Sequence, residues 1–320
     1  MRSRVTSRVT IGRAARRGAA CTWLARVRVT RACGARAPLA IGVVAVLLTV
    51  VPALLLAGCG EEAAIVTQEL VIDEPLGSAA VTDVEIDMGA GKLTLAPGAA
   101  GLISGTVRYN RESWKPAITR SDKSLTIKQG GPKDLRDLGG ETVNEWDLAL
   151  GRAPMRLEVT AGAHEGTYEL GGLTLQKLAI KDGASKTRVS FSAVNPGQMA
   201  SLEYSTGASS VALTGLANAN FKNMEFKGAA GDYSLDFSGE LRTSGTVKVE
   251  AGAGSVEIVV PAETAARVTV SGTLNSVSTE GLWTVEGQTY STTPAGSTGQ
   301  DKSLTVTVKA NVGSVTLIAR

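Results

Sequence analysis

Val84-Glu-Ile-Asp-Met-Gly-Ala-Gly-Lys-Leu-Thr-Leu95 decides how this chain folds, because Val249-Glu-Ala-Gly-Ala-Gly-Ser-Val-Glu-Ile258 repeats it. In both, apolar and polar residues alternate, a Gly-Ala-Gly follows, and the alternation resumes. Period-2 alternation marks a strand with one buried face. Glycine reaches backbone angles closed to other residues, so the triplet reads as a corner between two short strands.

Further copies carry the same phrase, among them Tyr204-Ser-Thr-Gly-Ala-Ser-Ser-Val-Ala-Leu213 and Phe226-Lys-Gly-Ala-Ala-Gly-Asp-Tyr-Ser-Leu235. Nine copies can be aligned, starting at Ile86, Ile118, Val159, Ile180, Tyr204, Phe226, Val249, Val270 and Val308. Between Val159 and Val270 the starts are 21, 24, 22, 23 and 21 residues apart. The first, eighth and tenth residues of each copy are assigned to the core, and 24 of these 27 positions are apolar. Gly166, Thr187 and Thr279 are the exceptions. The position two before each start is apolar as well (Val84, Leu157, Leu178, Leu202, Met224, Val247, Val268, Val306), with Pro116 the departure.

One such unit cannot bury its own apolar face, whereas stacked units share a continuous narrow core. The expectation is an all-β chain: a single-stranded β-solenoid of about nine repeats of ~22 residues, the period that signals arrays. An aromatic content of 4% suits a thin aliphatic interior. A β-sandwich is the rival, since alternation and glycine turns fit it too. Residues 128–145 and 280–303 interrupt the register, the first as a polar excursion before Trp146, the second as a hairpin or long loop. The strand from Ser314 to Ile318 is expected to leave an exposed edge, a surface for a dimer or another partner.

Val84 to Leu95, Gly101-Leu-Ile-Ser-Gly105, Trp114-Lys-Pro-Ala-Ile118, and Asn144-Glu-Trp-Asp-Leu-Ala-Leu150 before Pro154-Met-Arg-Leu157 together resemble the toast-rack domain. That domain occurs in LiaF-type cell-wall-active antibiotic response proteins and in domains of unknown function named for adhesins. The resemblance would span roughly residues 66–320, divided into an N-terminal part (66–130) and a repeat part (146–320), and implies a toast-rack-like β-helix. It also implies a role connected with envelope stress. LiaF-type proteins carry several N-terminal membrane helices, which this sequence replaces with one apolar segment.

That segment, Ala37 to Gly58, carries no charge, follows Arg36 and ends in Leu56-Ala57-Gly58-Cys59. A basic flank, an apolar run and small exit residues make an export signal. Cys59 after Leu-Ala-Gly resembles the lipobox of bacterial lipoproteins, which implies cleavage between Gly58 and Cys59 and lipidation of Cys59. Residues 1–58 then form a signal peptide with a basic extension, and 59–65 a lipidated tether. An uncleaved transmembrane helix is the alternative, since 22 residues at ~1.5 Å each suffice to span the ~30 Å apolar layer. The location expected is the extracytoplasmic side of the cell membrane, held by the lipid anchor.

The ten arginines before the signal are the only charged residues among the first 58. Without them 23 basic residues face 30 acidic ones, so the exported part carries −7, and nucleic acid is not an expected partner. Cys59 is the only cysteine after the leader, which leaves neither an internal disulfide nor a CxxC motif.

Chemistry-bearing residues are sparse, and no cofactor is expected. His164, the only histidine, falls in a glycine corner and is read as an exposed turn residue. Gly89-Ala90-Gly91-Lys92 lacks the strand–GxxxxGK[ST]–helix layout of a phosphate loop. Asp232 and Asp236 share a strand face ~13 Å apart, wider than the ~5–9.5 Å used by glycosidase carboxylates. Glu203 and Glu225 occupy equivalent places in adjacent copies and form either a weak cation site or a ladder neutralised by Lys227 and Lys248. The favoured expectation is a non-enzymatic binding or scaffolding module at the cell envelope, with an envelope protein or cell-wall glycan as partner. A cell-surface adhesin or glycan-binding protein is the alternative; a polysaccharide-cleaving β-helix enzyme is a third. A glycan binder would need an exposed aromatic platform, for which Trp114, Trp146 and Trp283 are the candidates.

Overall fold

The computed structural model describes residues 6–10, 66–131, 142–292 and 302–320. The apolar segment, Gly58, Cys59 and the tether up to residue 65 lie outside them. Among the described residues no helix is long and apolar enough to cross a membrane.

The chain opens with β1 (Thr6–Thr10), β2 (Thr67–Glu74), β3 (Thr82–Pro97) and β4 (Ile103–Tyr109). Next come β5 (Ala117–Arg120), β6 (Ser124–Lys128), β7 (Asn144–Leu150), β8 (Met155–Glu169) and β9 (Leu175–Ser190). Then follow β10 (Met199–Thr214), β11 (Phe221–Asp236), β12 (Gly245–Val260), β13 (Ala266–Ser271) and β14 (Leu274–Glu280). The last are β15 (Thr284–Glu286), β16 (Thr289–Ser291) and β17 (Leu304–Ala319). All seventeen join one mixed, mostly parallel sheet. That arrangement differs from the two packed antiparallel sheets of a sandwich.

The long strands lie side by side in the order β3, β8, β9, β10, β11, β12, β17, every pair parallel. Their register puts Ile86, Val159, Ile180, Tyr204, Phe226, Val249 and Val308 in one row. Every member of the row is buried, and so is every member of the parallel row from Val84 through Leu157, Leu178, Leu202, Met224 and Val247 to Val306. Each side chain is covered by its equivalents on both neighbouring strands, so the repeat buries apolar surface that one copy alone would expose.

Burial changes phase within each long strand. In β10, Leu202, Tyr204 and Thr206 are buried, and after Gly207-Ala208 the buried set is Ser209, Val211 and Leu213. β11 does the same, with Met224, Phe226 and Gly228 before the corner and Tyr233 and Leu235 after it. A strand that kept its phase would send its two halves to opposite faces; the one-residue shift returns both to one hydrophobic cluster. At the corner Gly231, Gly254 and Gly313 stack in register with φ of +148°, +121° and +135°. A Cβ on Gly254 would stand 1.8 Å from the carbonyl oxygen of Gly231, so only glycine lets the layers approach there.

Three expectations are corrected. Ile118 does not open a parallel copy: β5 and β6 form an antiparallel hairpin in which Ile118 faces Ile127, and β6 lies parallel to β3 with Ile127 opposite Ile86. The copy at Val308 does not follow the copy at Val270 in space, because β17 enters between β12 and β13, pairing Val308 with both Val249 and Val270. For the same reason Ser314–Ile318 is no free edge: these residues pair with Ser255–Val259 on one side and Ser276–Glu280 on the other. The interruption after residue 280 does contain a hairpin, β15 with β16, and β16 covers β13. At the opposite end the antiparallel strands β7, β4 and β2 extend the second half of β3, and β1 pairs with β2.

Candidate functional site

His164 is buried, 6% exposed, which corrects its assignment as an exposed turn residue. The register explains why. His164 stands in the corner row with Gly91, Ser185, Ser209, Gly231, Gly254 and Gly313, the one large side chain among small ones. Its Nε2 lies 2.8 Å from the Tyr168 hydroxyl and 3.4 Å from that of Thr187. Gly166 makes the room, since a Cβ there would come within 2.9 Å of His164 Nε2 and the Tyr168 hydroxyl.

Beside this pair sits Asp182, in a row otherwise filled by Met88, Ala161, Thr206, Gly228, Ala251 and Ala310. Asp182 is also buried, and its Oδ2 accepts hydrogen bonds from Tyr204 (2.6 Å), Ser185 (2.9 Å) and Thr187 (3.4 Å). His164 Nδ1 and Asp182 Oδ1 are buried without a hydrogen-bond partner. Burial holds the His164 imidazole below its ordinary pKa, opposed by the Asp182 charge. Burial first, and Asp182 second, push the Tyr168 and Tyr204 phenols far up. The cluster therefore pairs a neutral imidazole with two phenols that stay protonated.

An open cleft of about 580 Å³ borders the cluster, lined by Lys92, Trp114, Asn144, Glu145, His164 and Glu165 among others. Asn144 ties its wall together: its side-chain amide donates to Ala90 O and to Gln129 Oε1 (2.9 Å), and its Oδ1 accepts from Trp146 Nε1 (2.8 Å).

The structure brings Glu203 and Glu225 together as direct neighbours on β10 and β11. Lysines meet both: Lys177 lies 3.3 Å from Glu203, while Lys227 and Lys248 lie 2.9 and 3.5 Å from Glu225. The Lys227 hydrogen bond, then Lys248, holds the Glu225 carboxyl below its ordinary range. The same face carries Arg156 on Asp83 (2.5 Å), Lys181 on Glu158 (2.7 Å) and Lys248 on Glu250 (2.7 Å). Asp83–Arg156, Glu158–Lys181, Glu203–Lys177 and Glu225–Lys248 bridge adjacent strands, whereas Glu225–Lys227 and Glu250–Lys248 run along one strand. No group of three or more His, Cys, Asp or Glu placed to hold a metal occurs among the described residues. Asp232 lies between Ser210 and Ser255 and accepts from the Ser255 hydroxyl, while Asp236 meets Arg320 at 3.7 Å and the amide of Ser238 at 2.8 Å.

Trp114 and Trp146 are buried in the core, as are Tyr109, Tyr168, Tyr204 and Tyr233 and the four phenylalanines. Trp283 and Tyr290 are partly buried against it. The aromatic residues of the described chain thus serve the interior and build no exposed platform.

Residues 61–201 match the family described as the N-terminal domain of toast_rack, DUF2154. The match is shorter than the span expected from the sequence and stops within β10. No curated protein matches the chain at a significant level. Among solved structures, a "putative cell adhesion protein" from Clostridium sporogenes is 19% identical, with 79% of this chain and 99% of that one covered and a TM-score of 0.42. A "putative adhesin" from Bacteroides fragilis is 9% identical over 78% of this chain and 95% of its own, with a TM-score of 0.30. A "putative lipid binding protein" from Parabacteroides distasonis is 10% identical over 78% and 96%, with a TM-score of 0.31. Over residues 61–201, the chain is thus similar to the N-terminal domain of toast_rack.

Proposed function

We propose that this is an exported, lipid-anchored, non-enzymatic β-solenoid that acts as a binding or scaffolding module at the cell envelope, in a role linked to envelope stress. In this reading the phase change at each glycine corner turns the chain around the shared core, so that each ~22-residue repeat makes one layer. A signal helix within residues 37–58 is cleaved after Gly58, and Cys59 carries the lipid on the extracytoplasmic side. Removal of residues 1–58 would also remove β1 and open the outer edge of β2.

The observation that carries the reading is the continuous apolar interior beneath regular outward rows of Ser, Thr and paired charges. Val84, Leu157, Leu178, Leu202 and Met224 fill the inside, while Asp83–Arg156, Glu158–Lys181 and Glu225–Lys248 are stitched across the outside. A face whose charges already neutralise one another suits broad contact with a surface or partner better than attack on one bond. The cleft beside His164 is the place where a small envelope ligand would meet polar side chains.

The test is incorporation of labelled palmitate, with membrane fractionation, in the wild type and in Cys59→Ala. Loss of label and release of the variant from the membrane are expected. Equal labelling of both would overturn the anchor.

A further inference from the structure

Short strands extend the stack at three places. β7, β4 and β2 extend the second half of β3, while β6 and β5 extend the first. At the far side β16 and β15 cover β13. β14 is in register with β17 alone, and among the described residues no other strand pairs with it. A free edge offers a row of unpaired backbone N–H and C=O groups to any strand that reaches it.

Three features distinguish this edge from a protected one. Its sequence, Leu-Asn-Ser-Val-Ser-Thr-Glu, holds no lysine, arginine or proline, and its single charge, Glu280, stands at the last position. Val277 ends a core row whose members Val211, Tyr233, Val256 and Val315 are all buried, yet Val277 itself is only half-covered. Immediately beyond the strand, Leu282 is 89% and Val285 54% exposed.

We infer that the free edge of β14 binds the β14 of a second copy of this chain, antiparallel and centred on Val277, so that two stacks join end to end about a two-fold axis. The charge pattern selects this occupant. Centred there, Val277 faces Val277 of the partner subunit, and Ser276 faces Ser278 of the partner subunit. The two Glu280 side chains stand at opposite ends of the seam, six residues or ~20 Å apart at ~3.4 Å per residue, beyond the ~8 Å Debye length of physiological salt. A strand is thus offered to its own copy with no like charges opposed. The two-fold makes the contact self-limiting, with each edge consumed by the other. Leu282 and Val285 flank the seam as the apolar surface that pairing would cover.

Sedimentation equilibrium of the full chain in detergent, over a concentration series, tests this with two double variants. Wild type is expected to show a monomer–dimer equilibrium. Ser276→Lys with Ser278→Lys places lysine opposite lysine twice and is expected to weaken the dimer by about tenfold or more, since like charges directly opposed on paired strands repel. Ser276→Lys with Ser278→Glu places lysine opposite glutamate and is expected to restore it. Both serines are exposed, and an unchanged far-ultraviolet circular dichroism spectrum establishes that each variant is folded. A wild type that is monomeric throughout, open-ended polymers, or a dimer that survives the lysine pair would overturn the inference. Failure of the lysine–glutamate variant to recover would overturn the antiparallel register. None of these outcomes depends on Cys59 being lipidated.

Discussion

His164 Nε2 and the Tyr168 hydroxyl lie 2.8 Å apart inside the core, where imidazolium would have to form away from water. Burial lowers the His164 pKa in the fold, and the Asp182 carboxylate, the charged group of the cluster, offsets this only in part. Below ~6.5, the ordinary value, the unfolded chain takes a proton that the folded chain refuses. Stability is therefore lost as pH falls from ~6.5 toward the lowered folded value, by at most about 1.4 kcal/mol per pH unit. Urea midpoints at stepped pH should fall over this window in wild type and stay flat in His164→Gln. The same slope in both would show that His164 is not the group responsible. Asp83 and Glu225, whose carboxyls are held low by Arg156 and Lys227, add losses only further into acid.

Gly254→Ala tests the close approach at the corner. The new methyl would stand 1.8 Å from Gly231 O on a backbone with φ of +121°. Neither the neighbouring layer nor the angle has room to give, so a loss of about 4 kcal/mol or more is expected, at the diagnostic end of single substitutions. Gly287→Ala is the comparison, with φ of +61° and nothing within 4 Å of its added methyl. It should cost about 1 kcal/mol, the left-handed backbone penalty alone. Chemical denaturation measures both, and equal losses would contradict the stacking argument.

The Glu225 pair with Lys227 and Lys248 is a rung at the surface, where ion pairs contribute about 0–1 kcal/mol. Glu225→Gln should change the melting temperature by only a few degrees. Calcium or magnesium should leave the melting temperature of the wild type unchanged, because the lysines already occupy the positions a cation would take. A cation-dependent rise that disappears in Glu225→Gln would restore the metal reading of Glu203 and Glu225.

The row from Val159 to Val249 was legible in the sequence because equivalent residues at a regular spacing share one register. So was the inward position two residues earlier. The departures from the pattern carried as much information as the pattern. Gly166 and Thr187, polar or empty where apolar residues were due, make room for His164 and hydrogen-bond Asp182. Thr279, the third departure, lies on β14, where among the described residues no further strand follows to demand an apolar residue. His164 itself was misleading because a histidine among glycines looks like a turn. Only the register reveals that its neighbours in the row are small since the layers close tightly there. The order of the last layers was hidden for another reason. Val270 and Val308 carry the same apolar signature, and nothing local specifies which of them lies against Val249.

The most direct test of the stacked, parallel register measures distances between spin labels along one outward row. Asp87, Thr160, Lys181, Ser205, Lys227, Glu250 and Lys309 occupy that row on successive strands. With the chain's own cysteines changed to serine, paired labels at Thr160 and Glu250 should lie ~19 Å apart between backbones, at ~4.8 Å per strand. Thr160 with Lys309 should give ~24 Å and Asp87 with Lys309 ~29 Å, one further strand spacing each time. Equal steps, with Lys309 one layer beyond Glu250, are the predicted result. Distances that fail to grow by one spacing per strand, or a Lys309 two layers beyond Glu250, would contradict the account.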